Sequence, residues 1–429
     1  MRSRLLKKAL LVLIVAGCSS GAANVYQPGP PPVAQILTVD VDLTATRQRI
    51  DGFGASSAWW TPSISDEQAQ MFFSVDEGIG LTHLRLRITP QGMPDGLVTA
   101  QKAVALGVTV WAAPWSPPAE WKSNNNVKNG GSLLPAHRQD WADRLAAFAK
   151  SMADQGVPLA ALSAQNEPNY ANMGWETCIW TPADLVTFVR DFLGPALARQ
   201  GLTLPIVAPE TQDWGTLRAF AIPLLDDPVA AAYLGPIAAH GYGGSAYAFP
   251  TDGHPLWMTE VSKSGQKLDP GMESGLWAAE KVHESLVNGN VNVFHWWWLN
   301  ASNRADSTDG SALTEMGQLT RRAWVIANWS RFVRPGFVRV NATARPQADV
   351  SASAFTDPVS GRVVVVAINE GEEALSQAFA ITGGAVAPMV TPWITSDDLA
   401  LAAQDPIAVS DGAFSYTLPP RSVTSFVTN

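Results

Sequence analysis

The sequence is short of cysteine, of charge and of long apolar runs. Of its two cysteines, Cys18 lies near the N-terminus and only Cys178 stands in the rest of the chain. A chain processed at Cys18 therefore has no intramolecular disulfide available. No His or Asp is spaced to make Cys178 a nucleophile, so a buried, small, apolar role is expected for it. Charged residues are 16% of the chain and the formal net charge is −9. No basic run of note follows the N-terminus, which excludes nucleic acid as a partner. Asp-rich metal-binding spacing is absent, and neither a metal nor a cofactor is expected. The apolar run Ala9 to Ala16 is too short to span a bilayer as a folded anchor. There is no repeat of solenoid type.

What is abundant is apolar and aromatic. Hydrophobic residues make up 46% of 429, enough for more than one domain built around large cores. Tryptophan occurs 17 times. Some of these rings fill cores; others can lay a flat indole face against the apolar face of a sugar ring.

The first eighteen residues read as a targeting segment, residues 1–18. Arg2, Arg4, Lys7 and Lys8 precede the apolar stretch, and Val15-Ala16-Gly17-Cys18 looks like a bacterial lipoprotein cleavage box. Used as one, it makes Cys18 the lipidated N-terminus and attaches the chain to a membrane of the cell envelope, on the periplasmic or outer surface. Residues 19–34, with Pro28-Gly29-Pro30-Pro31-Pro32, read as an extended tether.

Residues 35–49 alternate like a strand. From residue 50 to 333 the pattern is strand, loop, helix, repeated: Leu84 to Ile88, Val108 to Trp115, Ile206 to Glu210, Ile237 to His240, Leu256 to Glu260 and Val291 to Trp298 read as strands. Alternation over that length predicts a closed (β/α)8 TIM barrel. Residues 334–429 carry strands separated by Gly, Asp and Asn turns with no helix between them. They predict an attached antiparallel β-sandwich, which the strand at 35–49 is expected to join.

Two strings within the barrel carry the chemistry. Gln165-Asn166-Glu167-Pro168 and Trp257-Met258-Thr259-Glu260 each place a Glu at the end of a short apolar strand. Catalytic groups of parallel barrels come from the C-terminal ends of different strands, and the gap between these two leaves room for about three βα units. Strands four and seven are the expected carriers. Two such carboxylates are what a retaining glycosidase needs, one attacking the anomeric carbon and the other protonating the departing oxygen and later activating water.

Further strings appear in matching order. They are Gln48-Arg49-Ile50-Asp51-Gly52-Phe53-Gly54 at the start of the barrel, Ala113-Pro114-Trp115-Ser116-Pro117-Pro118 after the third strand, Trp175-Glu176-Thr177-Cys178-Ile179-Trp180-Thr181-Pro182 after the first Glu, and Phe332-Val333-Arg334-Pro335-Gly336 and Trp393-Ile394-Thr395-Ser396 near the C-terminus. Together they resemble glycoside hydrolase family 30, and the last three are similar to its bacterial xylanase branch. The resemblance implies Glu167 as acid/base, Glu260 as nucleophile, Asn166 as a ligand of the sugar 2-hydroxyl and Arg85 as the guanidinium that steadies the nucleophile. It also implies Trp115, Tyr242 and Trp298 as the lining of the subsite under attack, with Trp59, Trp296 and His240 as further candidates. The partner is then a polysaccharide, and the enzyme a monomer.

One departure bears on specificity. In the glucuronoxylanases of that family an Arg and a Tyr after the eighth strand bind a glucuronic acid branch. Here Phe294-His295-Trp296-Trp297-Trp298-Leu299-Asn300 has neither beside it, and Arg304 comes later. Bidentate capture of a carboxylate is not reproduced by Asn or Ser. An endo-β-1,4-xylanase without strict dependence on glucuronate branches is therefore expected. A β-1,6-glucanase or β-1,6-galactanase of the same family remains a rival, as does a non-catalytic carbohydrate-binding surface lipoprotein.

Overall fold

A computed structural model of the chain describes residues 37–59, 63–263, 271–300 and 311–428. Eight strands follow one another as Gly52–Ser56, His83–Ile88, Thr109–Pro114, Leu162–Ser163, Ile206–Val207, Ile237–His240, Leu256–Glu260 and Val293–Asn300. Their pairings are parallel, and the eighth returns to the first, Val293 opposite Gly52 and Phe294 opposite Phe53. Between the fifth and sixth strands the contact narrows to two parallel bridges, Ile206 with Leu234 and Thr211 with Ala239. Helices including Asp66–Phe73, Leu97–Ala105, Arg138–Asp154, Trp214–Asp226 and Met272–Val287 lie between the strands. The predicted (β/α)8 barrel is the observed fold.

The second strand shows why the site forms where it does. His83-Leu84-Arg85-Leu86-Arg87-Ile88 alternates, and in a strand successive side chains point to opposite faces. Leu84, Leu86 and Ile88 join the core beneath the helices with Phe53, Phe72, Trp141 and Phe188. The alternate residues, Arg85 among them, face the barrel axis. There Trp111, Ala113, Trp115, Ala161, Val207, Ala238, Trp257 and Val293 form an inner cluster. Large indoles opposite alanines fill the barrel by layers, so it is packed and not a pore. Trp111 and Trp257 meet edge to face with 5.6 Å between ring centroids.

The strand Val39–Arg49 precedes the barrel yet pairs in the second sheet, antiparallel to Val338–Ala342 and parallel to Leu375–Thr382. The strands Val350–Thr356, Val363–Asn369, Met389–Thr395, Ala413–Leu418 and Ser422–Thr428 complete it in antiparallel pairs. The single parallel pairing departs from an all-antiparallel sandwich. Its strand arrives from before the barrel, so no hairpin turn dictates its direction. One sandwich face closes on itself around Phe379, Phe414 and Phe426; the other places Val364, Val366, Ile368 and Val423 in the core shared with the barrel helices. Ser425 Oγ donates to Asn328 Oδ1 at 2.9 Å and Asn328 Nδ2 to Thr395 Oγ1 at 2.7 Å across that seam. Among the described residues no helix is long and apolar enough to cross a membrane. Cys18, its targeting segment and the tether lie outside the described residues.

Gly54 shows how little slack the first strand has. A Cβ there would come within 2.6 Å of the His295 ring and of the His83 carbonyl oxygen. Overpacking of this kind costs about 1–3 kcal/mol. Gly54→Ala is expected to lower the denaturation midpoint accordingly, measured by urea unfolding; an unchanged midpoint would contradict the tight fit.

Candidate active site

At the C-terminal mouth of the barrel the chain gathers charged groups from five strands. Arg85 has no exposed surface. Its guanidinium lies 4.5 Å from the Trp115 ring centroid and 5.3 Å from that of Trp111. It donates to Glu260 Oε2 through Nη1, and through Nη2 to Asn166 Oδ1 at 2.5 Å and Glu210 Oε1 at 2.6 Å. Glu260, the last residue of the seventh strand, also accepts from the Tyr242 hydroxyl at 2.8 Å.

Glu167 stands where the chain turns out of the fourth strand. Gln165 holds the turn, its Nε2 donating to the Trp115 carbonyl at 2.9 Å while its Oε1 accepts from Trp180 Nε1 at 3.2 Å. The backbone N–H of Glu167 donates to the Glu210 carbonyl at 3.0 Å. Both residues lie in the left-handed region, with φ of 46° and 57°. Such backbone costs of order 1–3 kcal/mol and persists where the surroundings over-determine it. His240 faces all three carboxylates: Nδ1 is 3.0 Å from Glu167 Oε1 and 3.8 Å from Glu260 Oε2, and Nε2 is 3.4 Å from Glu210 Oε1.

The surroundings set protonation. Burial raises the Glu167 carboxyl above its ordinary value, the His240 contact opposes this only in part, and the charge of Glu260 adds to the rise. Burial alone would lower the His240 imidazole, but Glu260, Glu167 and Glu210 outweigh it and push it to about 9. Burial and the Glu260 charge raise the Tyr242 phenol well above its ordinary value, which keeps it a donor. Burial raises the Cys178 thiol to about 12, so this cysteine is no thiolate nucleophile.

Ligand atoms of Glu167, His240 and Glu260 all lie within 4.8 Å of one another. Among the described residues this is the one His, Cys, Asp and Glu group close enough to hold a metal ion; in this chain Glu260 meets the Arg85 guanidinium and Glu167 meets the His240 imidazole. Carboxyl groups about 5–5.5 Å apart serve double displacement, whereas about 6.5–9.5 Å leaves room for an inverting water. The close approach of Glu167 and Glu260 is that of a retaining pair.

Over the carboxylates stands a wall of three indoles. Trp59 and Trp115 lie 5.0 Å apart, Trp115 and Trp297 6.0 Å, and Trp59 and Trp297 5.9 Å. Trp59 is held from behind. Its backbone N–H donates to Asp95 Oδ2 at 2.7 Å, and Arg87 sits 4.9 Å over its ring while pairing with Asp95 and, bidentately, with Glu176.

Arg85, Trp115, Asn166, Glu167, His240, Tyr242, Glu260 and Trp59 thus come together. Trp296 does not, which corrects its place among the candidates. It is buried on the helix side of the eighth strand, edge-on to Trp277 at 5.8 Å, with Nε1 bonded to the Ser311 carbonyl. Trp298 lies one ring behind the wall, stacked on Trp297 at 5.8 Å and tied through Nε1 to the Ala58 carbonyl at 2.6 Å. The indole that joins Trp115 is Trp297, which sequence reasoning passed over, as it did Arg87 and Asp95. A signal was present. His295 marks the inward row of this strand, as His83 and Arg85 do on the second, and Trp297 is two residues on.

A parallel barrel with a retaining carboxylate pair at its mouth and an indole wall above it defines a glycoside hydrolase. Residues 74–305 match the glycosyl hydrolase family 30 TIM-barrel domain and residues 336–426 the family 30 β-sandwich domain. The chain belongs to glycosyl hydrolase family 30. It is 31% identical to the glucuronoxylanase XynC of Bacillus subtilis (strain 168) over 441 residues, covering 99% of both chains. Among solved structures it resembles the family 30 subfamily 8 xylanase Xyn30A from Clostridium acetobutylicum, at 32% identity and a TM-score of 0.81 over 91% of this chain and 99% of that one. It also resembles a family 30 endoxylanase from Clostridium papyrosolvens C71, at 34% identity and a TM-score of 0.78 over 91% of this chain and 100% of that one.

Removing the nucleophile removes the covalent route. Glu260→Ala is expected to lose glycoside hydrolysis by more than about a thousandfold, within the range that catalytic groups contribute. Added azide should restore turnover by giving the inverted glycosyl azide, read by proton NMR. Near-normal hydrolysis by the variant would overturn the assignment.

Proposed function

We propose that the chain is an endo-β-1,4-xylanase acting by double displacement, with Glu260 as nucleophile and Glu167 as acid/base. The observation that carries the chemistry is the close pair Glu167 and Glu260 beneath the indole wall. What favours xylan is likeness along the whole chain to enzymes named xylanases.

In the first step Glu260, held by Arg85 and Tyr242, bonds to the anomeric carbon while the glycosidic C–O bond breaks and Glu167 gives its proton to the departing oxygen. In the second, water attacks that carbon, its proton goes to Glu167, and Glu260 is released. Asn166 Oδ1 is engaged by Arg85, so its amide N–H group is the one left for the sugar 2-hydroxyl. Trp59 and Trp297, both half-buried, offer apolar surface to the xylose rings, with Trp115 buried behind them.

Strict dependence on glucuronate is not part of this reading. The eighth strand carries no Arg or Tyr beside its indoles, and charge-assisted bonds to a carboxylate contribute about 1.5–3 kcal/mol each. Arg304 lies outside the described residues. Reducing-sugar release from glucuronoxylan and from arabinose-bearing or unbranched xylan is expected to agree within about tenfold, a difference of about 1.4 kcal/mol. A preference near a hundredfold that Arg304→Ala erases would sink the specificity. Cleavage of β-1,6-glucan or β-1,6-galactan in place of xylan would sink the substrate class.

The attachment proposed for the enzyme is an acylated Cys18 at the bacterial cell envelope, from the Val15-Ala16-Gly17-Cys18 box. Palmitate should label the wild type and not Cys18→Ser. A mature N-terminus found elsewhere by mass spectrometry would contradict it.

A further inference from the structure

The two-carboxylate reaction leaves a third buried carboxylate without a task. Glu210 follows the fifth strand and has no exposed surface, so it is out of reach of substrate. Its Oε1 accepts from Arg85 at 2.6 Å and faces His240 Nε2 at 3.4 Å, and its Oε2 accepts from Ser163 Oγ. Its backbone carbonyl accepts from the Glu167 N–H at 3.0 Å. One residue thus touches the guanidinium that holds Glu260, the imidazole that faces Glu167, and the backbone of Glu167 itself.

Burial pushes the Glu210 carboxyl up, but Arg85, then His240 and Ser163, outweigh it and leave it below the ordinary value. A carboxylate only accepts hydrogen bonds, so His240 must carry a proton on Nε2. The other tautomer would set a bare lone pair against an anion. Nδ1 is then the nitrogen that meets Glu167 Oε1 at 3.0 Å. The charged and titratable groups facing the imidazole are Glu167 after the fourth strand, Glu210 after the fifth, Tyr242 beyond its own, Glu260 on the seventh and His295 on the eighth, with Arg85 from the second sharing Glu210 and Glu260 with it.

We propose that Glu210 is a positioning residue for hydrolysis: by holding the Nε2–H of His240 it turns Nδ1 toward Glu167, so that the Glu167–His240 pair stores the one proton given to the departing oxygen. This rests on Glu167 as acid/base and Glu260 as nucleophile. The proton leaves the pair as the glycosidic C–O bond breaks and Glu260 bonds to the anomeric carbon. It returns from water in the second step, and His240 ends unchanged.

Glu210→Gln keeps the size and removes the charge. On xylan its kcat/KM is expected to fall about tenfold or more, a part of what general acid catalysis contributes. Losing a neighbouring anion disfavours protonation, so the high-pH limb should move to lower pH by about half a unit or more. An aryl xylobioside with a dinitrophenyl leaving group needs no proton, and its kcat/KM should fall by less than about threefold. Glu210→Asp, which restores the charge, should return the limb toward the wild-type position. Equal losses on both substrates with an unmoved limb would reduce Glu210 to a structural support and overturn the proposal. Nitrogen-15 NMR of His240 in the wild type decides the tautomer without a variant or a substrate: above about pH 9, where this imidazole becomes neutral, Nε2 is expected to keep its proton and Nδ1 to lose it. A bare Nε2 overturns the proposal. A wild type inactive on both substrates would instead remove the reaction on which it rests, leaving the tautomer still measurable.

Discussion

Arg85 carries a full positive charge with no exposed surface, and the mouth of the barrel is arranged around that fact. A buried ion costs several kcal/mol in lost hydration unless opposite charges and hydrogen bonds offset it. Here the offset comes from Glu260 on one side and Glu210 on the other, with Asn166 as a third acceptor and two indole faces packed against the guanidinium. Because a guanidinium is a planar fork, its partners are held in fixed relative positions. The nucleophile, the residue before the acid/base and the carboxylate behind His240 are therefore set by one side chain.

The same constraint explains the division of the two catalytic carboxyls. Glu260 receives a cation and a hydroxyl, whereas Glu167, equally buried, faces an imidazole and another carboxylate. Groups whose environments are made unlike can take opposite parts in one reaction. The indole wall supports this division by keeping water from the guanidinium while leaving the half-buried faces of Trp59 and Trp297 to a ligand. Trp59 itself needs Asp95, Arg87 and Glu176 behind it to hold its left-handed backbone.

Much of this was legible in the chain. Glu167 and Glu260 each close a short apolar run, and a barrel strand that ends on a carboxylate presents it at the mouth whatever surrounds it. Arg85 lay in a strand whose alternation already separated an apolar face from a polar one. Trp296 was misread because three consecutive indoles look alike in sequence, and only the strand's facing tells which one meets the axis. The parallel pairing of Val39–Asp42 with Phe379–Thr382 was not legible either, since it joins segments from opposite ends of the chain and no turn between them records a direction.

The sequence by itself determined the class of fold, the two carboxylates and the alternation that gives the second strand a polar and an apolar face, because these depend on local periodicity and on residue type. Tertiary structure alone decided the partnerships. Glu210 reads only as one more Glu ending a strand until the barrel closes and brings it against Arg85 and His240. Closure sets the distances between strands remote in sequence, and those distances determine which buried carboxyl meets the guanidinium and which meets the imidazole.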